Sequence, residues 1–379
     1  MRFPKNITSL FYGVIGILWL SIHFFYYYKF GVRPVPDTTY YYLTADTILG
    51  LENFDLSHYK WYFSYGLFLS VFRYLQLAEY WIIGIQLCIS LLGMLSLMKT
   101  VYLITQSHAG SLITAFFYLG CFKLFIWNFI ISTESLFISS VIISFYLWIS
   151  YHYKPSTIKL YLTLVISLFT CFLRPTGIGL LIGIVTYGIS RINPKLSWSS
   201  ISLLCILGIS LLTLVNYMLT TFQMIDMEYA QGHLIHQPKF ESLIITPPTD
   251  LYIPSGSHSP LIRIILFYLY NPLYGLQLAF SKLLLFTFNI RPYFSVWNNL
   301  FSITSLSTLY FLGIYGILHR SIPSPIKFLG LSFILFQGIT VMLTIADVDG
   351  RFILPVIPVM AVFGGIGGST FLMKKYKNG

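Results

Sequence analysis

Charge is what this sequence has least of. Of its 379 residues only 9% are Asp, Glu, Lys or Arg, against about 25% in an ordinary soluble domain. So thin a charged complement cannot clothe a water-facing surface, which excludes a soluble enzyme. A hydrophobic share of 56% equally excludes a disordered chain, which fails to fold for want of apolar surface. Cysteine is scarce too. The four present, Cys88, Cys121, Cys171 and Cys205, all lie in apolar runs with no CxxC pair. That excludes a disulfide framework and a zinc ribbon, and the thiols read as small buried hydrophobes. No internal repeat is visible, which removes the usual mark of an inverted-repeat transporter. Acids are scarcer than bases, 12 against 23, for a net charge of +11. The bases are dispersed between apolar runs and form no stripe, so membrane topology accounts for them and nucleic acid is not an expected partner.

What is present is length in apolar runs, with a mean hydropathy of +0.76. A bilayer crossing needs about 20 apolar residues. Runs near that length fall at 9–28, 80–104, 109–129, 134–151, 157–173, 175–190, 199–221, 297–318, 326–345 and 352–372. The fold class expected is therefore an all-α polytopic membrane protein with about ten transmembrane helices, forming one domain over 1–379. Arg2 and Lys5 precede the first run and no small-residue cleavage site follows it, so it reads as a retained anchor. With the N-terminus inside, Lys99, Lys154, Lys159, Arg191, Lys195, Arg320, Lys327, Lys374, Lys375 and Lys377 fall in inner segments. All 12 acids fall in outer loops or at outer helix ends. The positive-inside rule then places both termini in the cytoplasm and any acid–base chemistry outside.

Two outer segments are long. In 29–79, the stretches Thr38–Leu49 and Gly66–Leu77 read as short interfacial helices. In 222–296, a proline-rich loop precedes the apolar stretch 261–290, read as one or two interfacial helices or a re-entrant hairpin, covering a cavity over the first segment.

Candidate residues cluster on that outer side. Asp37 lies in Pro34-Val35-Pro36-Asp37-Thr38-Thr39-Tyr40-Tyr41-Tyr42, ahead of a Tyr-rich helix. It reads either as a helix cap or as a general base at the membrane surface. Asp46 lies about two and a half turns on and faces either the same cavity or water. Glu134 opens an apolar span, as a dipole-compensating residue or a third catalytic carboxylate. Lys60, among aromatics at headgroup depth, is a snorkelling anchor or a phosphate contact. Arg174 and Arg351 each sit beside a proline at an outer helix end, and arginine pairs well with phosphate. The structural alternative for Arg351 is an ion pair with Asp347 or Asp349. His233 and His236 form an HxxH pair without a third ligand at metal spacing. No metal ligand set is visible, and the cofactor stays unknown, with a divalent metal left open. Carboxylates, bases and an aromatic membrane edge together suit a substrate with a phosphate head and a long lipid tail held among membrane lipids.

These residues resemble a family. Asp37 with Tyr40–Tyr42 and Ala45-Asp46, then Tyr65-Gly66-Leu67-Phe68-Leu69, look like the first-loop pattern of the GT-C class of integral-membrane glycosyltransferases, with Gly66 for the usual proline. Thr133-Glu134-Ser135-Leu136-Phe137 is similar to its Glu-Pro-Leu-Phe segment, with Ser135 for proline, and Arg174-Pro175-Thr176-Gly177 and Arg351-Phe352-Ile353-Leu354-Pro355 to its later segments. The landmarks run in family order and most resemble the branch of aminoarabinose transferases and protein O-mannosyltransferases. The resemblance implies a polyprenyl-phosphate-linked sugar as donor and a glycan, lipid or protein as acceptor. It implies transfer at the extracytoplasmic face of a bacterial plasma membrane, in cell-envelope glycan biosynthesis. It maps the catalytic carboxylate to Asp37 and the lipid-phosphate contact to Lys60. Tyr40, Tyr41 and Tyr65 are then expected along the substrate cavity. The rival readings are a lipid-linked glycan transporter or flippase, and a non-catalytic subunit of envelope-glycan assembly.

Overall fold

The computed structural model describes residues 5–191, 198–222, 231–235, 243–320, 322–344 and 350–377. Among these there is no strand, only two isolated bridges, Arg33 with Ile130 and His233 with Ile244. The helices run α1 Lys5–Phe30, α2 Pro36–Ile48, α3 Phe63–Tyr74, α4 Glu79–Thr105, α5 His108–Gly120 and α6 Lys123–Ile126. They continue as α7 Thr133–Tyr153, α8 Thr157–Cys171, α9 Ile178–Ile189, α10 Trp198–Phe222, α11 Pro260–Tyr270 and α12 Pro272–Phe288. The last are α13 Val296–Leu318, α14 Ser324–Leu343 and α15 Val356–Lys377.

Five helices are long and apolar enough to cross a bilayer: Ser9–Phe30, α4, α7, α13 and α14. Two bent pairs bring the number to seven, α5 with Lys123–Phe129 at 65° and α11 with α12 at 113°. The protein is thus a helical, multi-pass membrane protein, but length alone does not reach the expected ten spans. Thr157–Cys171 and Pro175–Ile189 are shorter apolar helices, and α10 and α15 are apolar over their described stretches Cys205–Thr221 and Val356–Leu372. For α8 and α9 the physical reason is Arg174-Pro175, where proline lacks the amide donor that would carry one helix into the next, so each stays short. The sharp bend between α11 and α12 falls at Asn271-Pro272, where proline starts the second helix without a backbone donor.

α15 runs through the middle of the bundle and is buried from Val356 to Ser369. Its Gly364, Gly365, Gly367 and Gly368 let α13 and α5 approach backbone to backbone. A Cβ on Gly365 would meet the Gly110 carbonyl of α5 at 2.6 Å, and one on Gly367 would collide with the Leu312 carbonyl of α13. Where lipid removes the hydrophobic drive between helices, such small-residue contact is what packs them. The helices at the rim leave large apolar side chains outward, Ile17, Leu20 and Phe24 of α1 among them.

The chain ends of several helices are tied together at one end of the bundle. The Arg33 amide donates to the Phe129 carbonyl and the Ile131 amide to the Arg33 carbonyl, at 2.9 and 3.2 Å. The Ser64 amide donates to Phe172 O at 3.0 Å, and the Gln337 amide side chain to Thr176 O at 2.9 Å. Of the first outer segment, α2 and α3 are short helices close to the positions the sequence suggests. They touch at Gly66, where a Cβ would meet Thr44 Cγ2 at 2.5 Å and Ile48 Cδ1 at 3.3 Å. Gly66→Leu should therefore push α2 off α3 and lower stability by about 1–3 kcal/mol. Thermal unfolding of the detergent-solubilised variant measures this, and an unchanged melting temperature would refute it. The second outer segment meets the first through Trp61. Its indole N–H donates to Thr221 Oγ1 at 3.2 Å, and it packs in a cluster with Leu234, Ile264, Phe267 and Tyr274. Residues 243–259 have no regular helix.

Candidate functional site

At the tied end, Glu134 is the hub. It stands in the first turn of α7 and is 3% exposed. Its Oε1 accepts from Arg174 at 2.5 Å and from Arg351 at 3.4 Å. Its Oε2 accepts the Ser132 hydroxyl. Both guanidinium groups also lie against the Phe352 ring, at 5.8 and 5.7 Å from its centroid. Arg174 is buried, whereas the Arg351 side chain keeps 25% of its surface. Two cations here share one carboxylate, so among the described residues one positive charge is left over. Among the described residues Arg351 Nε, also buried, has no hydrogen-bond partner. A tight crevice lined by Glu134, Phe137, Thr176, Arg351 and Pro355, too narrow for a water molecule, lies beside them. Such a centre attracts an anion, because an unbalanced buried charge is costly.

Asp37 is the second residue of α2, with Val35 as the cap and Pro36 first. The capping falls to Thr38, whose hydroxyl accepts the Val35 amide proton and donates to Ile131 O, both at 2.8 Å. Asp37 has no capping role and is half-buried. Its charge acts on four aromatic side chains. Tyr59 is pushed up to about 12, first by burial and then by Asp37. Burial chiefly raises Tyr41 and Tyr62 as well, with Asp37 adding to both. At His58 burial lowers the imidazole and Asp37 partly opposes it, leaving the ring neutral at pH 7. Tyr41 and Tyr62 also feel Glu134 and Arg174, and Tyr62 feels Arg351. These two rings, 5.7 Å apart, lie electrostatically between Asp37 and the arginine pair.

The other expected site residues are placed as follows. Asp46 is held by Arg73 in a two-pronged pair, both contacts 2.8 Å, with 48% of the Arg73 side chain exposed. An exposed partner makes such pairs worth about 0.2–1 kcal/mol. Asp46→Asn should cost stability on that scale and leave any catalysis within about twofold; a large activity loss without unfolding would return Asp46 to the list of bases. Lys60 donates to Tyr217 OH at 2.5 Å and lies over the Tyr217 ring at 4.3 Å. It does not join the arginine pair through any contact. Instead it rims an apolar groove of about 500 Å³ walled by Phe63 and Leu67 of α3 and by Val165, Leu168 and Phe172 beside α8. Phe172 lies two residues before Arg174 in the chain, but the groove and the Glu134 crevice share no lining residue. Tyr65 is sealed in the core with its hydroxyl on Gln86 at 3.2 Å, and Tyr41 is 4% exposed. Of the three expected cavity tyrosines, Tyr40 alone presents a large surface, 43%.

Asp347, Asp349 and His236, candidate partners or ligands in the sequence, lie outside the described residues, as do Asp226, Glu228, Glu241 and Lys195. Among the described residues no group of three His, Cys, Asp or Glu side chains could hold a metal ion. Two features escaped sequence reading. One is Tyr62, hidden within an aromatic run. The other is a buried polar network joining α1 to the Glu134 loop. Asn128 Nδ2 contacts His23 Nε2 at 2.9 Å and Ser90 Oγ at 3.0 Å, Ser135 donates to Asn128 Oδ1 at 2.6 Å, and Gln86 donates to Asn128 O and Ile130 O at 3.2 Å. The signal was available, since amides inside apolar runs are expensive in a bilayer and need partners. It also gives Ser135, which stands where the resembled pattern has proline, a use for its hydroxyl. No family model matches the chain, and no curated protein matches it.

Proposed function

We propose that the protein is an inverting membrane glycosyltransferase of GT-C type, with about ten crossings when its shorter apolar helices are counted. In this reading the donor is a sugar linked to polyprenyl phosphate. Transfer takes place on the extracytoplasmic face of a bacterial plasma membrane, with both termini in the cytoplasm. The observation that carries it is the arginine pair on Glu134, with one positive charge left over among the described residues, beside two tyrosine rings that also feel the non-capping Asp37.

The chemistry follows from those parts. The prenyl tail lies in the groove between α3 and α8, and the phosphate takes up the excess charge of Arg174 and Arg351 with Lys60 at the rim. Asp37 accepts the proton of an acceptor hydroxyl. The acceptor oxygen attacks the anomeric carbon from the face opposite the phosphate. The bond from that carbon to the phosphate oxygen breaks, and polyprenyl phosphate leaves with the bonding pair. Charge grows on the leaving phosphate as the bond breaks, so fixed cations there stabilise the transition state more than the ground state. Glu134 serves as the counter-ion that aims both guanidinium groups rather than as a base, since its oxygens are already taken by Arg174, Arg351 and Ser132.

The test is a purified, nanodisc-embedded protein supplied with a panel of polyprenyl-phosphate sugars, with released polyprenyl phosphate as the readout. Release with one or a few sugars supports the reading. No release with any sugar, together with no binding of polyprenyl phosphate itself, overturns it.

A further inference from the structure

Beside Asp37 lies a cluster of rings that the donor chemistry above does not use. Tyr40 and Tyr59 stack at 5.2 Å with 19° between their planes. Phe54 lies 6.2 Å from Tyr40 and 5.6 Å from Tyr59. His58 touches Tyr59 at 5.0 Å and lies nearly parallel to Tyr62 at 6.0 Å. Tyr40 stands three residues after Asp37 in α2, a spacing that puts the two on one face of the helix. Tyr40 is well exposed, and Phe54, His58 and Tyr59 are partly so.

An interfacial aromatic belt would spread its rings along the membrane surface. These rings instead pack on one another next to a carboxylate. The surface they form sets flat apolar faces beside phenol hydroxyls and the Asp37 carboxylate. A lipid chain would cover the faces and leave the polar groups unpaired, at a cost. A sugar ring fits both. Its axial C–H groups form apolar faces that lie on aromatic rings, and its equatorial hydroxyls meet polar groups at the ring edges. Charge narrows the class further. From Arg33 to Lys60 the sequence holds Asp37, Asp46, Glu52 and Asp55 against only the two bases at its ends. Of these, Asp46 is neutralised by Arg73. The local field disfavours an anionic acceptor.

We infer that the Tyr40–Tyr59–Phe54 platform beside Asp37 is an acceptor subsite, and that the acceptor is an uncharged glycan whose terminal ring stacks there. The inference rests on the transferase reading for the word acceptor, but the binding it asserts can be measured without transfer. Full-length protein in nanodiscs is applied to an array carrying neutral hexose and N-acetylhexosamine oligosaccharides, uronic-acid oligosaccharides and Ser/Thr peptides. Neutral oligosaccharides should be retained. Tyr40→Ala should weaken that retention roughly tenfold, while Tyr40→Phe, which keeps the ring, should hold it. Tyr40 is at the surface, so Tyr40→Ala should leave the melting temperature unchanged, which the same samples report. Binding of only acidic glycans or peptides, or neutral binding indifferent to Tyr40→Ala, overturns the inference. Tyr40-dependent glycan binding with no polyprenyl phosphate released from any donor would keep this subsite and sink the transferase. Donor turnover with no neutral-glycan binding would do the reverse.

Discussion

Asp37→Asn protein should insert, fold and bind donor, and should lose about 10²–10⁴-fold in turnover, the usual weight of a general base. Asparagine is nearly isosteric with aspartate but cannot accept the proton. Asn also caps helices about as well as Asp, so the substitution would be silent if Asp37 served α2 as its cap. The structure removes even that ambiguity, because the Thr38 hydroxyl holds the Val35 amide and Ile131 O. The complementary Thr38→Val change should therefore cost helix stability, by about 1 kcal/mol, where Asp37→Asn does not. Steady-state release of polyprenyl phosphate, alongside thermal melts of both variants, reads the two effects apart. Near-normal transfer by well-folded Asp37→Asn protein would remove this residue as the base.

Glu134→Leu should be among the most damaging single changes in the chain. It leaves Arg174 and Arg351 facing each other, one of them buried, with no counter-ion between them. Removing one partner of a buried ion pair costs about 3–5 kcal/mol, most of it the desolvated charge left behind. Arg174→Met should cost a similar amount by stranding less charge but vacating a buried site. Arg351→Met, at a side chain that is one quarter exposed, should fold nearly normally and weaken donor binding instead. This division corrects the simplest expectation for three phosphate-binding bases, that each could be truncated without harm to folding. Equilibrium unfolding in mixed micelles gives the stabilities, and titration with polyprenyl phosphate gives the affinities. If Glu134→Leu unfolds like the parent protein, the triad contributes little and the anion-site argument loses its footing. The double variant Glu134→Leu with Arg174→Met should regain part of the loss, since an ion pair replaced as a unit is better tolerated than one broken.

Much of this architecture can be read in one dimension. Scarce charge, long apolar runs and the segregation of acids from bases dictate a helical, multi-pass chain, because backbone amides in lipid have only one another to bond. Proline starts at Pro36, Pro260 and Pro272 and serine caps at Ser107, Ser156 and Ser295 are equally local, and the helices begin where these residues put them. Local signals also gather the candidate residues at helix ends, since charged side chains avoid the apolar middle of a span.

Which of those residues meet was decided only by tertiary packing. Glu134 takes its two arginines from 40 and 217 residues away, while Asp46 takes Arg73 from 27 away. Proximity in sequence gives Glu134 no base at all and leaves it at a helix start with no partner. The spans are apolar all round, so no polar stripe marks which face turns inward. In lipid the hydrophobic effect does not choose that face either, and the choice falls to glycine contacts such as those of α15 and to buried amides such as Asn128. The sequence determined that there would be helices in a membrane, where they begin, and that the charged candidate residues would lie at their ends. The close approach of small residues between distant helices decided that Glu134 holds Arg174 and Arg351 together, because long-range contacts leave no local trace in the chain.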